Sequence, residues 1–361
     1  VKFARTVSRR DREPRIAVAG GGGATLRADE VSRHAVRLVV IDGEMPRLVP
    51  FGELPRLLRT GDLVVVNDAA TLPGSLPGTT DDGASFELRL SGPIDGNRLS
   101  GVLLGEGDHR TRTEHRPSPP MLAPGAHVRL GGFSAIVSAA AGRKVELIAQ
   151  IAGDELWHAI YAVGSPVQYA HRPDRLPLYA VQTAYASRPW AAEMPSAGRP
   201  LTWEILLGLR RAGVAIATLT HAAGLSSTGD EALDRALPWP ERYELPRSTV
   251  AAIAVAKARG GRVIAVGTTV VRALEAAAQH DGTLHAGSGV ATLRLAPGDV
   301  PAIVDGLISG LHAPGESHFE LLQAFAPREQ LERALVVAAV NGLSSHELGD
   351  ACLILSSQLS P

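Results

Sequence analysis

The chain has 361 residues, of which 45% are hydrophobic, 20% charged and 4% aromatic, enough apolar content for two domains or one large one. Thirty-six basic against 37 acidic residues give a formal net charge of −1, which excludes a global positive field that would draw the chain onto nucleic acid and leaves room for a local basic face. The lone Cys352 excludes an intramolecular disulfide or a cysteine-held metal cluster and fits a reducing cytoplasm, and no apolar run reaches the ~18–20 residues of a membrane span.

The first 25 residues are charged, then glycine-rich, and are expected to be poorly ordered at their start; Arg5, Arg9, Arg10 and Arg12 precede no apolar core, so they do not read as a secretory signal. Arg15 to Thr25 (RIAVAGGGGAT) feeds a strand-like run into four glycines. A dinucleotide fingerprint needs glycine at the first, third and sixth positions, and counting from Gly20 the sixth is Thr25, so a flexible linker is the better reading. Arg37 to Asp42 reads as a buried strand and Phe51 to Arg59 as a short amphipathic helix. From Asp62 the texture changes. Leu63 to Val66, Phe86 to Leu90, Leu99 to Leu104, His127 to Leu130, Ala135 to Ser138 and Val145 to Ile151 are short strand-like runs broken by Gly, Pro, Asp and Asn, the signature of a small β-barrel or sandwich.

After Gly153 helical periods return in alternation with strands. Thr202 to Ala212 is an amphipathic helix closed by Gly213, Val214 to Leu219 a strand, Ser248 to Arg259 an alanine-rich helix with Ser248 as N-cap, Arg262 to Val266 a strand, and Val270 to Gln279 a helix. Such alternation implies a mainly parallel sheet covered on both faces. The reading is therefore an α/β main domain built from 1–61 and 152–361, carrying an inserted β-barrel domain over 62–151.

Three segments carry candidate chemistry. In Gly260 to Glu275 (GGRVIAVGTTVVRALE) a strand ends in the turn Gly267-Thr268-Thr269 and a helix begins at once, placing hydroxyls and free amides at the carboxyl edge of a sheet, where α/β folds bind ligands. Arg272 and Glu275, one turn apart on that helix, can pair or flank the pocket; an ordinary capped turn fits the same pattern. His221 follows a strand and precedes small and hydroxylic residues (HAAGLSSTGD), which suits a base beside a close-approaching loop as well as a structural histidine. His312 in GLISGLHAPGESH ends an apolar run before Pro314 and Gly315, again as suited to a turn as to a site. No metal is expected: His312 and His318 are too far apart for one helical face, His109 and His115 sit in a polar loop, and there is no HExxH. There is also no GxSxG nucleophile elbow and no GxxxxGKS/T phosphate loop.

Taken together and in order, Leu57 to Asp68 (LLRTGDLVVVND), Met194 to Thr202 (MPSAGRPLT), Gly261 to Glu275, Val304 to Pro314 (VDGLISGLHAP), Gln323-Ala324-Phe325 and Leu348 to Ile354 (LGDACLI) resemble the S-adenosylmethionine:tRNA ribosyltransferase-isomerase family of the queuosine pathway. The resemblance implies an α/β main domain with an inserted β-barrel and S-adenosylmethionine as ribosyl donor and co-substrate. In that chemistry the sulfonium acidifies the C5′ proton, a base removes it, adenine and methionine depart, and the sugar becomes an epoxycyclopentane on a deazaguanine amine. On this reading His221 is the base and His312 or Asp305 assists adenine departure. Gly267, Thr268, Thr269 and Arg272, with Ser196, Gly198 and Arg199, hold the donor.

The chain also departs from the family pattern. Ala70 and Ser75 stand where two arginines are expected, Pro200 where a histidine is expected beside Arg199, and Ala236 to Glu241 (ALPWPE) replaces a histidine-rich stretch, retaining Glu241. Three functions follow as expectations: the family reaction on tRNA, a related transfer of the donor's sugar to a small-molecule acceptor, or a non-catalytic protein that binds S-adenosylmethionine or a nucleoside. All three are cytoplasmic and none involves a membrane.

Overall fold

The computed structural model describes residues 33–170, 173–278, 282–345 and 348–355. The charged and glycine-rich start, with the run Arg15 to Thr25, lies outside them. The strands in chain order are β1 (Arg37–Ile41), β2 (Arg47–Pro50), β3 (Leu63–Asn67), β4 (Ala69–Thr71), β5 (Ser75–Thr80), β6 (Ser85–Leu90), β7 (Arg98–Leu104), β8 (His127–Leu130), β9 (Phe133–Ala141), β10 (Lys144–Ala149), β11 (Arg188–Ala191), β12 (Ala215–His221), β13 (Glu241–Leu245), β14 (Val263–Val266), β15 (Gly287–Ala291), β16 (Gly306–Gly310) and β17 (Ala351–Leu355).

Nine of them form one sheet in the order β15-β13-β12-β3-β14-β16-β17-β1-β2, and six close a barrel in the order β10-β7-β6-β5-β8-β9. This is the α/β architecture with an inserted barrel that the sequence implied. The sheet is mixed rather than mainly parallel. A parallel block β12-β3-β14-β16 occupies its middle, while β17 runs antiparallel to β16, and β13, β15 and β2 also pair antiparallel.

The expected insertion boundary at Asp62 falls too early. Leu63–Asn67 is a wholly buried strand in the middle of the main sheet, between β12 and β14, and the barrel begins at Ser75. A continuous run such as LVVVN marks a strand covered on both faces, as in a parallel block, whereas barrel strands alternate: β8 reads exposed, buried, exposed, buried. The barrel interior is filled by Leu76, Leu88, Leu99, Val128, Val137 and Leu147. The main sheet buries one face against Val270, Leu274 and Leu331 and the other against Leu54, Ile205 and Leu209.

Local signals set the helix positions. Thr202 caps the helix Trp203–Arg211 by accepting a hydrogen bond from the Ile205 amide. The alanine-rich helix instead starts at Arg247 after Pro246 without a side-chain cap, so Ser248 is inside its first turn.

At the amino edge of the parallel block, Asp62 fastens two strand starts together. Its carboxylate accepts from the Arg59 amide at 2.8 Å and the Arg262 amide at 2.9 Å, and from the Arg262 guanidinium at 2.6 Å. Burial alone would raise this carboxyl, but the hydrogen bonds from Arg262 and Arg59 win and hold it below the usual range. A folded pKa below the unfolded one gives stability that is present above the unfolded value and lost as pH falls through the folded one. We predict that Asp62→Asn lowers unfolding free energy by about 3–5 kcal/mol at neutral pH, because it leaves Arg262 without its anion, and flattens the acid limb. Urea denaturation at several pH values checks this; parental stability would refute it.

Candidate active site at the carboxyl edge of the parallel block

The four parallel strands end at His221, Asn67, Val266 and Gly310, so the segments following them meet at one edge. Asn67 is buried and clasps the backbone of the neighbouring strand: its Oδ1 accepts from the His221 amide at 2.9 Å, and its Nδ2 donates to the His221 carbonyl at 3.0 Å. The main chain of His221 is thereby fixed on both sides.

The ring of His221 is different. It is 0% exposed and neither Nδ1 nor Nε2 has a hydrogen-bond partner. Buried polar atoms are almost always paired, so two orphans on one ring are unusual. Nε2 lies 3.5 Å from Glu241 Oε2. Burial, and then the positive charge of Arg272, push the imidazole from its ordinary 6.5 to about 3, so it is neutral at cellular pH.

Glu241 is held from two directions. Gly224, in the loop after His221, donates its amide to Oε1 at 2.6 Å, and a Cβ at position 224 would lie 2.8 Å from that oxygen, so a side chain there would displace the carboxylate. Arg272 Nη1 pairs with Oε2, while the rest of its guanidinium donates to the carbonyls of Ala291 at 3.1 Å, Leu293 at 3.2 Å and Trp239 at 3.3 Å. Enclosure still outweighs Arg272 and leaves the Glu241 carboxyl above its usual range. A buried imidazole and carboxylate with displaced titrations, held beside a guanidinium, are a marker of function.

Next to it, Gly267 turns the chain from β14 into the helix Thr268–Ala277 with φ +91°, a conformation that favours glycine. The amides of Thr268 and Thr269 meet no acceptor among the described residues, whereas those of Val270 and Val271 return to the Gly267 carbonyl. The short turn Ser196–Gly198 abuts this one: a Cβ at 267 would lie 3.8 Å from that of Ala197. Thr269 Oγ1 is 3.5 Å from Asn67 Nδ2. The edge thus offers free amides, hydroxyls and a neutral buried imidazole.

A sequence model of the family described as "Queuosine biosynthesis protein" matches residues 25–354. The chain belongs to that family. It is 32% identical over 332 residues to the S-adenosylmethionine:tRNA ribosyltransferase-isomerase of Trichlorobacter lovleyi, covering 90% of this chain and 94% of that one. It is 34% identical over 340 residues to the protein of the same name from Acidithiobacillus ferrooxidans, covering 89% and 92%. The crystal structure of the S-adenosylmethionine tRNA ribosyltransferase of Thermotoga maritima aligns over 90% of this chain and 93% of its own, at 23% identity and a TM-score of 0.47.

Of the residues expected to serve this family's chemistry, the carboxyl edge gathers His221, Gly267, Thr268, Thr269, Arg272, Ser196 and Gly198. His312 follows β16 at the same edge, and its ring stacks on that of His318 with centroids 4.6 Å apart, so the two do meet although no helical face joins them. His318, absent from the sequence-based candidates, feels both His312 and Arg272 and is pushed down to about 4, chiefly by burial.

One expected residue lies elsewhere. Asp305 precedes β16 at the opposite, amino edge, where it accepts from the Val263 amide at 2.8 Å and lies 3.8 Å from Lys257, so it is a strand-start fastener like Asp62. Arg199 closes the turn Ser196–Gly198 and is buried, its Nε donating to the Ala180 carbonyl at 2.9 Å. Nor do Arg272 and Glu275 pair: Glu275 instead accepts from the amides of Ala302, Ile303 and Val304.

Proposed function

We propose that the chain is an S-adenosylmethionine:tRNA ribosyltransferase-isomerase whose donor lies at the carboxyl edge, with its methionine carboxylate on the Thr268 and Thr269 amides and C5′ toward His221. The observation that carries this reading is the buried imidazole with two unpartnered nitrogens, 3.5 Å from a carboxylate that Arg272 holds in place. A neutral ring does not repel a sulfonium, whereas an imidazolium would.

A conjugate acid near 3 makes His221 alone a weak base. Glu241 compensates by stabilising the imidazolium as it forms, the role a carboxylate plays behind a catalytic histidine. The sulfonium supplies the rest by stabilising the adjacent carbanion. On this reading His312, stacked on His318, assists adenine departure.

Support for a nucleic-acid acceptor comes from a small arginine–aromatic face despite the neutral total. Arg188 and Arg242 flank the Trp190 ring at 5.4 and 5.2 Å; Arg188 is paired with Glu244 at 3.0 Å, so Arg242, whose carbonyl accepts from Ala222 in the loop after His221, is the cation that can face a phosphate. Such a face fits phosphate contacts, and a cytoplasmic location follows from the substrate. Among the described residues no helix is long and apolar enough to cross a membrane.

The test is release of adenine and methionine from S-adenosylmethionine, with and without tRNA carrying the deazaguanine amine. Release that requires tRNA and weakens steeply with added salt is expected. Release without tRNA would favour a small-molecule acceptor, and none under either condition would leave a binding protein. We also predict that Thr268→Phe, at the turn against Ala197, weakens donor binding at least tenfold by calorimetry without loss of fold; unchanged affinity would remove the turn from the donor site.

A further inference from the structure

Glu193, just after β11, is unused by the chemistry assigned so far. Its segment is docked on the loop after His221, the Ala192 amide donating to the Ala223 carbonyl at 2.7 Å. Glu193 Oε1 accepts from the Ser226 amide at 2.6 Å, the Ser226 hydroxyl at 3.1 Å and the Tyr169 hydroxyl. Oε2 accepts from no described residue. The residue is partly exposed.

The loop after His221 is therefore gripped by two carboxylates, Glu241 at Gly224 and Glu193 at Ser226. Their charges are answered differently. Arg272 binds Glu241 directly, whereas the cation that acts on Glu193 is Arg89, which lies over the Tyr169 ring at 5.0 Å and is itself bonded to Glu87 at 2.8 Å. The groups facing Glu193 are thus Tyr169, Ser226, Arg89 and, more distantly, Glu241. One oxygen is fixed by three donors and the other accepts from no described residue, beside the loop that follows His221.

We propose that Glu193 binds the cationic amine of the acceptor through Oε2 and takes its proton as the amine attacks the donor sugar; this assignment rests on the function proposed above. An alkylammonium, with a reference pKa near ~10, has no lone pair to attack with at neutral pH. In the step, an N–H bond breaks and its electrons become the nitrogen lone pair. That pair forms the bond to the sugar carbon from which adenine leaves with its own bonding pair. The ammonium proton ends on Oε2, and nothing is oxidised or reduced. Enclosure raises the Glu193 carboxyl, against the pull of Tyr169, Ser226 and Arg89, toward the range where a general base works best.

The experiment compares the purified full chain with Glu193→Gln, Glu193→Asp and Tyr169→Phe, reading adenine release across pH with tRNA carrying the deazaguanine amine. Glutamine still accepts from Ser226, so the loop keeps its anchor. The expected result is a loss of about 10²–10⁴-fold in kcat for Glu193→Gln with parental donor affinity and melting temperature. Its residual rate should climb about tenfold per pH unit with the free amine, Glu193→Asp should recover part of the loss, and Tyr169→Phe should act only mildly. A Glu193→Gln enzyme with parental rate, or one slowed with an unchanged pH profile, overturns the assignment and leaves Glu193 a loop anchor. A parental chain that releases no adenine overturns the proposed function, and this assignment with it, before any variant is read.

Discussion

His221→Asn is expected to slow adenine release by about 10²–10⁴-fold while donor binding and folding persist, and Glu241→Gln to slow it to a similar degree. Asparagine removes the group proposed to accept the C5′ proton. Glutamine leaves His221 in position, 3.5 Å from a side chain that no longer stabilises an imidazolium. The two losses should not add, because a base and the carboxylate behind it act as one unit; the double variant is expected within a few-fold of either single one.

The alternative is that His221 only packs. Its backbone is already held by Asn67, and its ring forms no hydrogen bond to lose, so a purely structural role predicts little change in turnover. Single-turnover kinetics on both variants, with melting curves alongside, separate the two. Parental release by His221→Asn would remove it as the base. The imidazole itself should contribute no acid limb near pH 6.5, since burial and Arg272 have moved its titration to about 3; a limb that vanishes in His221→Asn would contradict that environment.

What was legible in the sequence follows from the range of the interactions that determine it. The helix Trp203–Arg211 and the turn at Gly267 were readable because their signals are local: an amphipathic period closed by a glycine, and a glycine between a buried strand and a helix. The place of Leu63–Asn67 was not. An apolar run shows that a strand is covered on both faces but not which sheet covers it, and the neighbours of β3 come from beyond the barrel, more than 140 residues later.

The same limit applied to the site. Gly267, Thr268 and Arg272 share one motif and were found together, whereas the ring of His221 meets its carboxylate only because β13 folds beside β12. Asp305 was misassigned because a motif gives a residue's neighbours in sequence but not its edge of the sheet: six residues separate it from His312, and β16 runs between them. Glu193 and His318 carry no pattern of their own; only the fold shows an open carboxylate oxygen or a stacked ring.

Arg272→Met is expected to destabilise the protein by about 3–5 kcal/mol, the usual loss when one partner of a buried ion pair is removed. Methionine fills similar volume, so the loss is electrostatic rather than a cavity. It deprives Glu241 of its cation and leaves the carbonyls of Ala291, Leu293 and Trp239 without their donor. The Glu241 carboxyl, already raised by enclosure against the pull of Arg272, must then rise further. A folded pKa above the unfolded one makes stability greatest below the unfolded value and lowers it as pH climbs through the folded one. Denaturation of Arg272→Met should therefore show stability falling between about pH 4 and neutrality more steeply than in the parent. Arg272→Met combined with Glu241→Gln should recover much of the loss and erase that added slope, because no charge is then stranded. If the single variant unfolds during expression, the double variant still reports. A double variant as unstable as the single one would mean that the arginine acts mainly through the three carbonyls, and that the Glu241 charge is not what Arg272 is there to hold.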